Sequence, residues 1–232
     1  MAIMMRLFNN LINLFFPDLC VVCNSKLHES EQHICMECLL LLPKTNFHKQ
    51  PENRLEQFFA GRIPFQRAAA YAYFVKNGSI QHIIHDLKYK HNPAIGRYIG
   101  ELCGENIKDS EFISAIDLLV PVPLHPKREK QRGYNQSLEI CKGIATITGI
   151  PINSTTLIRK INNQSQTKNS RFDRWKNVEE IFAITNPGSF VGKHILLVDD
   201  VITTGSTLES GAKEILKCDG AKVSIYAVGT AG

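Results

Sequence analysis

The chain has 232 residues, a formal charge of +5, 44% hydrophobic residues and 21% charged ones, a composition ordinary for one or two globular domains. That charge is too small by itself to announce a nucleic-acid partner, and no apolar run approaches the roughly 20 residues that a membrane-spanning helix needs. Seven cysteines would suit a secreted disulfide framework, but Asn9, Asn10 and Asn13 interrupt any export-signal core behind Arg6, so a cytoplasmic location is expected.

In chain order, Met4, Leu7, Phe8, Leu11 and Phe15 form one apolar helical stripe, expected to dock on the protein's own core rather than on a membrane. Cys20-x-x-Cys23 and Cys35-x-x-Cys38 come next, in a stretch of about forty residues that is too short to bury a core of its own. Four thiolates at this spacing suit a structural zinc ion with every coordination position filled. A redox pair, two disulfides or a remnant site without metal are the alternatives. Cys103, Cys141 and Cys218 have no partners at ligand spacing and are expected to be small buried hydrophobes. A linker rich in Pro, Asn and Gln, from about Pro43 to Pro64, separates residues 1–62 from a larger domain over 63–232.

Within the larger domain, Ala68 to Val75 reads as a strand, and Ile80, Ile83, Ile84 and Leu87 fall on one helical face. Lys88-Tyr89-Lys90 closes that helix, where cations complement the dipole, and His82 and His85 face solvent. A second helix follows from Pro93, then a buried strand over 118–122, a helix from Gly133 to Ile147, and short strands at 157–158 and 181–184. After these come the strand and helix around Asp199 and Asp200, and a last strand from Lys222 to Val228. Alternation of this kind predicts an α/β fold with a doubly wound, mostly parallel sheet.

The most informative segment is Ile195-Leu-Leu-Val-Asp-Asp-Val-Ile-Thr-Thr-Gly-Ser-Thr207, where an apolar run ends in two carboxylates and a hydroxyl- and glycine-rich turn precedes a helix. Unpaired N–H groups and the positive dipole end at such a junction can bind a phosphate. The plainer alternative is that the Asp pair merely caps a helix. The string resembles the phosphoribosyl-pyrophosphate (PRPP) signature of type I phosphoribosyltransferases. By that resemblance Asp199 and Asp200 would hold the ribose hydroxyls, and Thr203, Thr204, Gly205, Ser206 and Thr207 would wrap the 5′-phosphate.

Two basic clusters complete the pattern: Lys127, Arg128, Lys130 and Arg132 in one segment, and Arg159, Lys160, Lys168, Arg171, Arg174 and Lys176 in another. Val120-Pro-Val-Pro-Leu-His125 with Arg132-Gly-Tyr-Asn-Gln-Ser137 is similar to the hallmark of the ComF family of competence proteins, which joins a four-cysteine zinc module to a phosphoribosyltransferase-like domain. Arg159, Gln166, Arg174, Asn177 and Phe182 match a third family segment, while Asn163 and Asn169 depart from its usual Thr and Leu. The resemblance implies a pyrophosphate-binding loop after Pro123 and a loop over 159–177 that closes on PRPP with Mg²⁺. Lys127, Arg128, Arg132 and Arg174 would then meet pyrophosphate or a DNA backbone. Two functional classes follow from it. One handles single-stranded DNA in natural transformation, with competence-machinery proteins as further partners. The other is a phosphoribosyltransferase acting on an unidentified base or amine, and Trp175, Phe172 and Tyr134 are the aromatic groups among the basic residues.

Overall fold

The computed structural model describes residues 17–160 and 181–231. The N-terminal apolar stripe and the basic loop from 161 onward, with Arg171, Arg174 and Trp175, lie outside those residues.

Four strands form the central sheet: β1 (Ala68–Tyr73), β2 (Leu118–Pro121), β5 (His194–Ile202) and β6 (Lys222–Thr230). Their order is β1-β6-β5-β2 and every pairing is parallel. Ile195, Leu196, Leu197 and Val198 are consecutive and all buried, as a central parallel strand covered on both faces requires. Two further strands, β3 (Leu157–Arg159) and β4 (Phe182–Ile184), pair antiparallel in a separate ribbon.

The crossover from β1 to β2 carries α3 (Ser79–Tyr89) and α4 (Pro93–Ile107) across the full width of the sheet. After β2, helix α7 (Gln136–Thr148) leads to Ile152, which makes a parallel bridge with Leu119 on the outer side of β2. Both moves run the same way, so right-handed connection puts α4 and α7 on one face, where they pack together. The return from β5 to β6 runs the opposite way and puts α8 (Ser206–Ile215) on the other face, against β5 and the β3–β4 ribbon.

Helices α4 and α7 meet backbone to backbone. A Cβ on Gly143 would lie 2.0 Å from the Arg97 carbonyl oxygen, and one on Gly100 would lie 2.2 Å from that of Ile140. Both glycines exist for this close approach rather than for a turn.

The segment expected as a linker is part of the fold. Pro43 and Thr45 pair with the free side of β1, Thr45 N–H donating to the Tyr71 carbonyl at 3.0 Å and Tyr73 N–H to that of Pro43 at 2.8 Å. Helix α2 (Arg54–Phe59) follows, and Phe47, Leu55, Phe59 and Ile63 are buried. One of the polar residues that looked like linker composition, Asn53, is a working cap. The Asn53 side chain accepts from Leu55 and Glu56 N–H and donates to the carbonyls of Phe47, Gln50 and Ala68.

A second difference lies after Pro123, where a loop was expected and the chain forms α6 (Pro126–Arg132). Pro126 stands at the first helical position, the His125 ring nitrogen accepts from Lys127 N–H at 3.2 Å, and Gly133 ends the turn with φ of 81°.

The α4–α7 contact gives the first expected outcome. Gly143→Ala should lower stability by about 3 kcal/mol, the upper end of ordinary overpacking costs, because only backbone can yield there. Gly188→Ala, whose Cβ would meet nothing closer than 3.5 Å, should change it little. Urea denaturation of both variants checks the contrast.

Candidate functional site

Strand β5 carries Asp199 and Asp200 to the carboxyl end of the sheet, where ligands of open α/β sheets bind. Neither caps a helix. Both lie inside the strand, and Gly205 is the N-cap of α8, with φ of 69° and no side-chain cap bond. The N–H groups of the first turn therefore receive no side-chain cap and are open to solvent or a ligand. Thr203, Thr204 and Ser206 are exposed, Thr207 is half-buried, and Asp199 and residues 201–208 line a small polar concavity. The hydroxyls of Thr204 and Ser206 lie 3.0 Å apart across the turn.

Gly205 serves a second purpose. A Cβ there would stand 2.8 Å from ring carbons of both Phe58 and Phe59, so α2 rests directly on the turn. Arg62 fastens the same contact: its guanidinium donates to the Thr204 carbonyl at 3.0 Å, pairs with Glu209 at 2.8 Å and lies 4.6 Å from the centre of the Phe58 ring.

The two carboxylates have different partners. Lys88 of α3 donates to Asp200 at 2.9 Å from each oxygen. Asp199 accepts from the Ser137 hydroxyl at 3.0 Å and the Asp200 N–H at 2.8 Å. Burial first, and then repulsion from Asp200, push the Asp199 carboxyl up to about 7, against 3.8 for an ordinary aspartate.

Lys88 and Ser137 were missed as site residues by sequence reading. Lys88 was assigned to a helix dipole, and its real partner is 112 residues away. Ser137 lies in the Arg-Gly-Tyr-Asn-Gln-Ser string, whose resemblance could have flagged it. Arg159 belongs here too. Its guanidinium is pulled down by burial and by the charge of Arg128 and held up by Asp199, so these three groups share one neighbourhood.

Of the basic residues of α6, Lys127 and Arg128 are exposed. Arg132 is half-buried, donates to the Gln136 amide oxygen at 2.9 Å and lies 5.7 Å from the centre of the Tyr89 ring. It braces the segment.

The four cysteines of the N-terminal module also come together. All four sulfurs lie within 4.8 Å of one another, and none is in a disulfide. A Zn–S bond of about 2.3 Å sets tetrahedral sulfurs about 3.8 Å apart, and Cys23 and Cys35 Sγ are separated by 3.7 Å. Cys20 Sγ also accepts from the Cys35 N–H at 3.3 Å. Hydrogen bonds from Ser25 pull the Cys23 thiol down to about 6, which favours the thiolate a metal requires. The residues therefore fit a tetrahedral metal. Cys20, Cys35 and Cys38 are buried and Cys23 is exposed, while Cys103, Cys141 and Cys218 are buried away from the cluster as expected. The module contacts the larger domain through the His33 and Tyr98 rings, 5.6 Å apart.

Residues 136–231, from α7 through the turn to the end of β6, match the family model of the phosphoribosyl transferase domain. Fold and site thus define a protein of type I phosphoribosyltransferase architecture with an added four-cysteine module. Among its relatives, DNA utilization protein YhgH of Salmonella typhimurium is 27% identical over 221 residues, covering 90% of this chain and 96% of that one. Competence protein F of Haemophilus influenzae is 24% identical over 94% of this chain and 99% of its own. Competence protein ComFC of Bacillus subtilis is 35% identical over 100 residues, 43% of this chain and 38% of that protein. Over most of its length the chain is thus similar to these competence and DNA utilization proteins. Among the described residues, no helix is long and apolar enough to cross a membrane.

The raised carboxyl predicts a pH dependence. An acid that titrates higher in the folded state than in the unfolded one supports stability below about pH 4, and that support is lost as pH rises through about 7. Wild-type protein should therefore lose urea stability between these values, and Asp199→Asn should flatten the loss. Parallel denaturation curves at pH 5, 6, 7 and 8 give the comparison.

Proposed function

We propose that this chain is a PRPP-binding member of the ComF family that handles single-stranded DNA during DNA uptake. The observation that carries the ligand reading is the pairing of Asp199 and Asp200 with an uncapped helix start three residues beyond Ile202. Ionised carboxylates are acceptor-only groups and suit vicinal hydroxyls, while the N–H groups of residues 203–207 suit a phosphate. Lys88 pairs with Asp200, and a ribose hydroxyl arriving at Asp199 would supply a donor that favours its charged form. Mg²⁺ arriving with PRPP would neutralise pyrophosphate charge, and Arg128 and Arg159, which feel each other's charge, would add cationic donors there.

The DNA reading draws on the names of the competence relatives and on the exposed cations of α6. A deoxyribose lacks one of the two hydroxyls that the carboxylates would engage, so a strand is better served by Lys127, Arg128 and the basic loop with Arg174 than by the Asp pair. The intact carboxylate pair favours one second reading, transfer of ribose 5-phosphate from PRPP to a base or amine. We further assign residues 1–62 to the cysteine module and its connection, and 63–232 to the PRPP-binding domain. Structural zinc on Cys20, Cys23, Cys35 and Cys38 would supply folding energy to the small module.

Calorimetry with PRPP and Mg²⁺, and with a single-stranded oligonucleotide, separates the two surfaces. Asp199→Asn with Asp200→Asn should weaken PRPP at least about tenfold and leave DNA affinity intact. Lys127→Ala with Arg128→Ala should reduce the salt slope of DNA binding by about 1.4, at about 0.7 per lost phosphate contact. Equal PRPP affinity in the carboxylate variant would sink the assignment.

Metal analysis should find about one zinc per chain in wild-type protein and none after Cys38→Ser, with a lowered Tm. A disulfide among the four cysteines in reduced protein would contradict this.

A further inference from the structure

At the carboxyl end of α3 an aromatic ring is left in solvent. Ile80, Ile83, Ile84 and Leu87 bury one face of that helix, while His85 and Tyr89, one turn apart, are both exposed. Tyr89 is 62% exposed. A tyrosine that serves folding buries its ring and bonds its hydroxyl, as Tyr134 does, half-buried and donating to the Leu87 carbonyl. Burial does not account for Tyr89.

Its ring is nevertheless held in place. The His85 ring centre lies 4.9 Å from that of Tyr89 with the planes 44° apart, and the Arg132 guanidinium lies 5.7 Å from the Tyr89 ring centre. Arg132 is itself fixed, donating to Gln136 at 2.9 Å, and its carbonyl oxygen lies 3.0 Å from the His91 ring nitrogen. The ends of α3 and α6 are thus stitched together around the ring. It is ordered before any ligand arrives, so little rotamer freedom is left to lose on binding.

The charge around it has one dominant sign. Helix α6 carries Lys127, Arg128, Lys130 and Arg132 against a single acid, Glu129. Arg128 and Arg132 are one turn apart on the same side of that helix, so cations run from the Tyr89 ring back along α6. A flat ring edged by cations matches a ligand in which flat faces alternate with phosphates. A duplex hides its base faces in the stack, whereas an unpaired strand presents them.

We propose that Tyr89, with His85 and Arg132, is a stacking platform for one unpaired base of single-stranded DNA, whose flanking phosphates lie on the cations of α6. The proposal rests on the reading of α6 as a DNA-contacting surface and deepens it. Phosphate contacts from α6 do not distinguish one strand from two; the exposed ring does. Lys88, the residue before Tyr89, turns instead to Asp200, so the platform takes no side chain from the carboxylate site.

The test uses full-length protein and fluorescence anisotropy with a labelled strand of about 16 nucleotides, the upper site size of a small single-strand-binding fold, and with an abasic strand of the same length. Wild-type protein should bind the base-bearing strand about tenfold or more tighter than the abasic one, as stacking of one base allows. Tyr89→Ala should erase that difference, leave abasic affinity within about twofold and leave the salt slope unchanged, since no phosphate contact is lost. Tyr89→Trp should keep wild-type affinity. Lys127→Ala with Arg128→Ala should by contrast weaken both strands alike and lower the slope. Equal binding of the two strands by the wild type overturns the platform, as does a Tyr89→Ala variant that keeps the difference; in either case the DNA reading stands. If the wild type binds neither strand, the DNA reading fails and the platform falls with it.

Discussion

Two carboxylates on consecutive residues at the end of a buried strand repel each other, and the arrangement survives because a lysine from another part of the chain holds one of them. Lys88 grips both oxygens of Asp200 at 2.9 Å. Asp199 is left with a hydroxyl and an amide, and its proton is shared out near neutral pH. That division needs three connections to be in place at once. Helix α3 must bring Lys88 over the sheet, α7 must start beside β5 with Ser137, and β3 must set Arg159 nearby. The parallel sheet and its right-handed crossovers are the frame that makes these three arrivals coincide.

The segment between the cysteine module and β1 has a similar organising role. It extends the sheet through Pro43 and Thr45, buries Phe47 and Leu55 in the core, and ends in the Phe58–Phe59 pair that rests on Gly205. The cysteine module adds its own contact to α4 through His33 and Tyr98. The cysteine module is thus joined to the rest of the protein in two places, along the chain through this segment and across space through the helix layer.

What was legible in the sequence was what is local. The apolar run into Asp199 and Asp200, the glycine two residues past Thr203, and the paired cysteines each declare themselves within a dozen residues, because strand, turn and knuckle are defined by neighbours along the chain. Lys88 was not legible: its place at a helix end already had a sufficient local explanation, and the partner that gives it meaning is set by tertiary packing. The 43–64 segment misled for the opposite reason. Its Asn and Pro content signals turns, and Asn53 does make one, but the apolar residues spaced between those polar ones are what bury it. Helix α6 shows competing signals, since a proline-rich approach suggests a loop while Pro126 and Gly133 are a start and a stop seven residues apart.

Both outer sides of the central sheet are already taken. Residues 43–45 occupy the free side of β1, and on β2 the Leu119 N–H donates to Pro151 while Asn153 N–H donates back to Leu119, each at 2.9 Å. A parallel sheet whose rims are filled by its own chain offers no row of open amides to a neighbour. Among the described residues, the rims of the central sheet are thus closed to strand pairing between copies, and a neighbour that meets this sheet meets its helices and side chains rather than its edge.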